Sequence, residues 1–181
     1  MKTAVATDHE QGWDFEKAAM PYVDSLYNTA YRMTRNSEDA EDLVQETYLK
    51  ALKGFVSFQQ GTNFRAWMYR ILRNTFLTSR SGLSVKMTVP LDREEDAVGP
   101  PTDTPEAALL ARADQQMLQS ALERLPVQFR EVILLCDVEE MSYREIADII
   151  GIPIGTVMSR LSRARKSMRE LLAEKVRGAC K

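Results

Sequence analysis

The chain has one histidine, His9, and two cysteines, Cys136 and Cys180. Neither cysteine lies in a CxxC pattern or beside another thiol or imidazole, so the sequence has no structural-metal spacing and the cysteines read as reduced thiols. With one imidazole, in a polar N-terminal stretch, most acid-base and metal-assisted arrangements are excluded, and there is no phosphate-cradling glycine loop. No cofactor and no metal ligand set is expected. No apolar run approaches the roughly 20 residues that span a bilayer, and Met1 to Gly12 lacks the apolar core of a signal peptide. The expectation is a cytoplasmic protein without membrane insertion.

Net charge is scarce too, at -2, which argues against a simple nucleic-acid binder until its distribution is followed along the 181 residues. Asn36 to Glu46 holds five acids and no base, whereas Thr47 to Leu91 holds seven bases and no acid, together with half of the chain's aromatics between Tyr48 and Phe76. From Thr156 onward there are eight bases against two acids. Two basic surfaces are therefore separated by acidic ones, a pattern that an average conceals.

Where the sequence is periodic the period is helical, and no strand is supported. Phe15, Ala18, Ala19, Tyr22, Leu26, Ala30 and Met33 mark a first helix, Asp14 to Arg35, kinked at Pro21. Ala40, Leu43, Val44, Thr47, Tyr48, Ala51 and Leu52 mark a second, capped by Asn36 or Ser37 and stopped at Gly54. A loop, Phe55 to Thr62, precedes a third helix from Asn63 to Arg80. Its apolar face is Phe64, Trp67, Met68, Ile71 and Leu72, and its opposite face is Arg65, Arg70 and Arg73. Helical period is lost from Ser81 to Thr104, where proline, glycine and acids accumulate. Thr104-Pro105 restarts a helix that runs to Pro126. Val127 to Val138 is another, and Ser142-Tyr143-Arg144-Glu145 is a capping box opening a short helix that ends at Gly151. A last helix runs from Gly155 to about Ala173.

The fold class is thus all-α: two small helical domains joined by a flexible linker, the second containing a helix-turn-helix. The boundaries read as a disordered tail 1–12, a first domain 13–80, a linker 81–104, a second domain 105–176 and a tail 177–181.

Short helix, Gly151-Ile152-Pro153 turn and basic helix form the helix-turn-helix arrangement, whose second helix enters the DNA major groove. Its outward positions are Thr156, Met158, Ser159, Arg160, Ser162, Arg163 and Lys166. Arginine bridges guanine O6 and N7, and the helix start at Gly155-Thr156 offers main-chain N–H groups to a phosphate. The first basic surface calls for a different account. An aromatic-rich loop beside a basic helix suits unpaired bases held by their faces and edges. Phe64 and Trp67 are placed in the core, and Gln59, Gln60, Thr62 and Asn63 are the loop groups that reach a flipped base, with Arg65, Arg70, Arg73 and Asn74 alongside. The acidic second helix, Asp39, Glu41, Asp42, Gln45 and Glu46, reads either as a solubilising face or as a docking face for a basic partner; periodicity does not separate the two.

At these residues the sequence resembles an extracytoplasmic-function (ECF) sigma factor of the sigma-70 family, over roughly Phe15 to Leu172. The phrases that carry the likeness are Asp39-Ala40-Glu41-Asp42-Leu43-Val44-Gln45-Glu46, Ala66-Trp67-Met68-Tyr69-Arg70-Ile71 and Gly155-Thr156-Val157-Met158-Ser159-Arg160. The resemblance implies a transcription initiation factor, not an enzyme. Its first domain would dock on the beta-prime coiled coil of the RNA polymerase core and open the minus-10 element as single-stranded DNA. Its second would hold the double-stranded minus-35 element near the beta flap. Gly61-Thr62-Asn63, with Ala66 to Leu72 and Asn74-Thr75-Phe76, resembles the thiol-stress subgroup, whose members are restrained by a zinc-containing anti-sigma factor. A stand-alone helix-turn-helix regulator is the rival reading.

Overall fold

The computed structural model describes residues 14–82 and 105–179. His9, Cys180, the N-terminal tail and residues 83–104 of the expected linker lie outside the described residues.

The first half is built from α1 (Phe15–Ala19), a 3-10 turn (Met20–Tyr22), α2 (Val23–Thr34), α3 (Ser37–Gly54), a second 3-10 turn (Phe55–Ser57) and α4 (Phe64–Gly82). Pro21 has no N–H to give an α-helical ladder, and the chain tightens there into the 3-10 turn that separates α1 from α2. The Tyr48 hydroxyl donates to Ala19 O at 2.7 Å, pinning that break to α3. The α2–α3 corner is made by Arg35, left-handed at φ 69°, followed by Asn36, whose side chain accepts from the N–H groups of Glu38 and Asp39. Of the two cap candidates, Asn36 is the one used.

Leu26, Ala30 and Met33 of α2, Ala40, Leu43, Val44 and Ala51 of α3, and Phe64, Met68, Leu72 and Phe76 of α4 are buried together. Phe64 and Trp67 belong to an aromatic cluster with Phe15, Phe55 and Phe58, at ring separations of 4.9 to 6.4 Å. Phe64 is core, as its helical spacing suggests, and Trp67 is half-buried against it. The third helix does not stop at Arg80: α4 continues through Ser81 to Gly82.

The second half comprises α5 (Pro105–Arg124), α6 (Val127–Ile133), a π turn (Leu134–Val138), α7 (Tyr143–Ile150) and α8 (Ile154–Ala179). Its core is Leu122, Leu125, Val132, Leu134, Ile146, Ile149, Val157, Leu161 and Ala164. The Ser142–Glu145 capping box forms, and Gly151 ends α7 at φ 75° in the left-handed region where a side chain would be strained. The last helix is longer than its sequence pattern indicates, running on to Ala179.

Arg130 is buried, and its guanidinium donates to the carbonyls of Leu122, Glu123 and Leu125 at 2.9, 2.8 and 3.2 Å, closing the C-terminal end of α5. Burial and the nearby Arg35 and Arg80 charges pull its pKa down to about 10. It also reaches Met33 O of the first half at 3.4 Å. The two halves are therefore packed against each other, α4 against α7 and α2 against α5 and α6.

Candidate nucleic-acid interface

Gly151, Ile152 and Pro153 turn the chain between α7 and α8, and Val157, Leu161 and Ala164 face inward. The opposite side of α8 presents Met158, Ser159, Ser162, Arg163 and Lys166 to solvent, with Thr156 and Arg160 half-buried. Two details differ from the sequence reading. The Thr156 N–H already bonds Pro153 O at 2.8 Å, so it is not an open main-chain donor for a phosphate. Arg160 is not a free outward cation: its Nη1 lies 3.5 Å from Glu131 Oε1. Arg165, which periodicity did not single out, is held by Asp137 at 3.1 Å from Nε, and that contact keeps the Asp137 carboxyl below its ordinary value and the Arg165 guanidinium above its own.

In the first half, Gln59, Gln60, Gly61 and Thr62 form an exposed turn, with Gly61 at φ 86° and the Thr62 hydroxyl donating to Gln59 O at 2.7 Å. Asn63 starts α4, its side-chain oxygen accepting from Ala66 N at 3.0 Å. Arg70 and Asn74 are exposed.

The expectation that Arg65 and Arg73 share an outward basic face with Arg70 is corrected. Both turn inward, to the second half. Arg65 Nη2 donates to Glu139 Oε2 at 2.9 Å and to Glu139 O at 2.8 Å, and its guanidinium lies 5.6 Å from the centre of the Tyr69 ring. Burial opposes the Arg65 charge, but the hydrogen bond to Glu139 and the surrounding negative groups outweigh it and raise the pKa. Arg73 Nε meets Glu131 Oε2 at 2.8 Å. The Asn63 amide also donates to Glu145 of the capping box. A helical wheel cannot separate these side chains from Arg70, because their partners are at least 58 residues away along the chain. The acids themselves, Glu131 and Glu139, were not singled out: Glu131 interrupts an apolar helix and Glu139 is one of two adjacent acids, and their burial at 5% and 4% exposure is visible only in the fold.

Four acids of α3, Asp39, Glu41, Asp42 and Glu46, are exposed with Gln45 on one side of the helix, and Glu46 pairs with Lys50 at 2.7 Å. Leu49, Leu52 and Val56 continue from that acidic segment as exposed apolar side chains, Val56 almost fully so at 96%. Among the described residues no cluster of histidine, cysteine and carboxylate side chains is arranged to hold a metal ion, and no helix is long and apolar enough to cross a membrane.

Comparison with known proteins gives this geometry its context. Residues 19–83 match the family model for sigma-70 region 2, and residues 115–168 match that for sigma-70 region 4. The chain is 37% identical over 169 residues to the ECF RNA polymerase sigma factor SigE of Mycolicibacterium smegmatis, covering 88% of this chain and 65% of that one. It is 38% identical over 158 residues to the ECF RNA polymerase sigma factor EcfG of Rhodopseudomonas palustris, covering 86% and 81%. Among solved structures it is similar to the sigma factor RpoE in complex with the anti-sigma factor NepR from Bartonella quintana, at a TM-score of 0.71, 34% identity and coverage of 88% of this chain and 97% of that one. It is also similar to CnrH in complex with the cytosolic domain of CnrY, at a TM-score of 0.64, 25% identity and 88% coverage of each. The acidic α3, the basic α4 and the helix-turn-helix of α7 and α8 thus fall within matched regions, and the chain belongs to the sigma-70 family, among its ECF RNA polymerase sigma factors.

Proposed function

We propose that this chain binds the RNA polymerase core through the exposed acidic side of α3, holds a minus-35 duplex with α8, and captures the unpaired minus-10 strand with the Gln59–Asn63 turn and α4. The observation that carries the reading is one surface relationship: Met158, Ser159, Ser162, Arg163 and Lys166 are all exposed on the helix that follows the Gly151 turn, the side of a helix-turn-helix that lies in the major groove. Arg163 is the residue best placed for a base edge and Lys166 for a phosphate. On the other half, Gln59, Gln60 and Thr62 are exposed on a turn closed by the Thr62 bond to Gln59 O, and the two glutamine side chains suit edge contacts to an extruded base. Opening the duplex then draws on binding to the captured strand, and the chain itself breaks no covalent bond.

The core partner of α3 is the beta-prime coiled coil, and the apolar side chains Leu49, Leu52 and Val56 extend the docking face beyond its charges. The beta flap is the partner of the second half. An anti-sigma factor is a further partner, a reading supported by the complexes in which the similar structures RpoE and CnrH were solved. The finer placement, in the thiol-stress subgroup under a zinc-containing anti-sigma factor, is supported only by the sequence of the Gly61–Asn63 turn and α4. Metal analysis of the anti-sigma protein co-purified with the chain tests that placement. We place the protein in the cytoplasm, where its polymerase partner resides.

Selection from a random duplex library, with the chain alone and with the chain bound to core polymerase, tests the main reading. Enrichment of two spaced elements only in the presence of core supports it. Tight, sequence-specific selection by the chain alone would favour a stand-alone regulator instead.

A further inference from the structure

Arg65, Tyr69 and Arg73 are spaced four residues apart on α4 and therefore share one side of the helix. That side meets the second half of the chain, and the contact at its centre is a single carboxylate. Glu139 accepts from the Thr29 hydroxyl at 2.7 Å, from Arg65 Nη2 at 2.9 Å and from the Tyr69 hydroxyl. All three groups belong to the first half, on α2 and α4, and all three act as donors. Glu139 itself comes from the segment just after the π turn, where Glu140 adopts φ 52° and Met141 N returns to Leu135 O at 3.0 Å. A non-glycine residue in the left-handed region is strained, and here the bend delivers the carboxylate to the first half.

Acids of the second half meet polar side chains of the first on either side as well. Glu131 holds Arg73, and Glu145 accepts from Asn63. Three residues assigned to the minus-10 strand are thus each occupied by an acid of the second half.

We propose that Thr29, Arg65 and Tyr69 form an oxyanion site whose alternative occupant is a backbone phosphate of the promoter single strand, and that Glu139 holds the free chain closed by filling it. This rests on reading the first half as the strand-binding half. The chemistry of the two occupants is the same: a carboxylate and a phosphodiester each present two acceptor oxygens sharing one negative charge, and neither has a proton to donate. The donors are held before either arrives. Tyr69 is packed into the α2–α4 core and its ring lies beneath the Arg65 guanidinium. Because Glu139 is tethered, it competes at a high effective concentration, so the free chain captures a strand weakly. Separation of the halves exposes the site.

The test uses the full chain with Cys136→Ser and Cys180→Ser, dye-labelled at Asp24→Cys on α2 and Glu170→Cys on α8, both exposed positions. Energy transfer reports closure, and anisotropy of a short labelled single-stranded oligodeoxynucleotide reports capture, with inorganic phosphate as the competitor that separates a free anion from a strand. Glu139→Gln keeps the shape, removes the charge and turns an amide N–H toward Arg65. It is expected to lower energy transfer and tighten oligonucleotide binding at least 10-fold. Adding Thr29→Val and Tyr69→Phe to Glu139→Gln should reverse the gain, with the helical circular dichroism signal retained. Unchanged transfer in Glu139→Gln overturns the latch. Open halves without tighter binding overturn the shared site. Promoter opening by the corresponding holoenzyme, followed with permanganate, separates this failure from the other: opening by wild type that is lost in Gln59→Ala/Gln60→Ala leaves the strand-capture reading standing, and opening that is the same in both removes it as well.

Discussion

Arg73 Nε lies 2.8 Å from Glu131 Oε2, joining α4 of the first half to α6 of the second through a pair whose acid is 5% exposed. Glu131 also faces Arg160 Nη1 at 3.5 Å, so one buried carboxylate connects a residue beside the proposed strand-capture surface with one on the proposed duplex-reading helix. Breaking a buried pair from one side leaves the other charge partly unmatched, at a cost of about 3 to 5 kcal/mol when no second partner remains. Arg160 remains here, and Arg73→Ala should therefore destabilise the chain by a smaller amount, about 1 to 3 kcal/mol. Urea unfolding of Arg73→Ala, Glu131→Gln and the double variant measures the coupling; additive losses would mean that the pair contributes nothing across the boundary.

Charge reversal at Asp42 and Glu46 should abolish association with core polymerase while leaving the fold unchanged. Both side chains are exposed, and the single ion pair involved, Glu46–Lys50, is a surface contact worth at most about 1 kcal/mol. Co-elution of the variant with core, beside a thermal melt, is the measurement. Normal co-elution would reduce the acidic side of α3 to a solubilising surface.

Arg163 and Arg160 should separate in their effects. Arg163 is exposed, so Arg163→Ala should weaken promoter binding by the holoenzyme by roughly 1 to 3 kcal/mol and relax sequence preference at one position of the minus-35 element, with no loss of stability. Arg160→Ala should lower stability as well, because it removes a partner of Glu131. A salt-dependent loss that is equal on all sequences would make Arg163 a phosphate contact.

Acid should unlock the start of the helix-turn-helix. The Ser142 hydroxyl and main-chain N–H hold the Glu145 carboxyl below its ordinary value of 4.5. A depressed carboxyl stabilises the fold above its unfolded pKa, and that contribution disappears as the pH falls through the lower folded value. Stability should therefore begin to fall near pH 4.5 and continue falling below it, and Glu145→Gln should be less stable at neutral pH but flatter across this range. Melting temperatures between about pH 6 and pH 3 check the slope. A slope unchanged by Glu145→Gln would assign the acid sensitivity elsewhere, with Asp137, held down by Arg165, as the next group to test.

What was legible in the sequence is what depends on near neighbours. Pro21, Asn36, the Ser142–Glu145 box and Gly151 each impose a local geometry, and each marks a break, cap or turn in the fold. The core positions of α3 and α8 follow from helical period in the same way, except Leu52, which continues the apolar stripe of α3 in sequence but is exposed in the fold. The site was legible where side chains reach solvent, as Arg163, Lys166, Gln59 and Asp42 do. It was not legible at Arg65 and Arg73, because whether a polar residue faces water or a buried acid depends on how distant helices pack. Nor does any pattern distinguish Glu139 from the exposed Glu140 beside it; the π turn and the left-handed residue after it decide which carboxylate is buried.

Run-off transcription with purified core polymerase is the most direct test of the central claim. The account predicts initiation that requires the chain, starts downstream of two spaced promoter elements, needs no nucleotide hydrolysis for opening and is lost when Gln59 and Gln60 are replaced by alanine in an otherwise stable protein. Transcription that is indifferent to the chain, while the chain alone binds a specific duplex tightly, would contradict it.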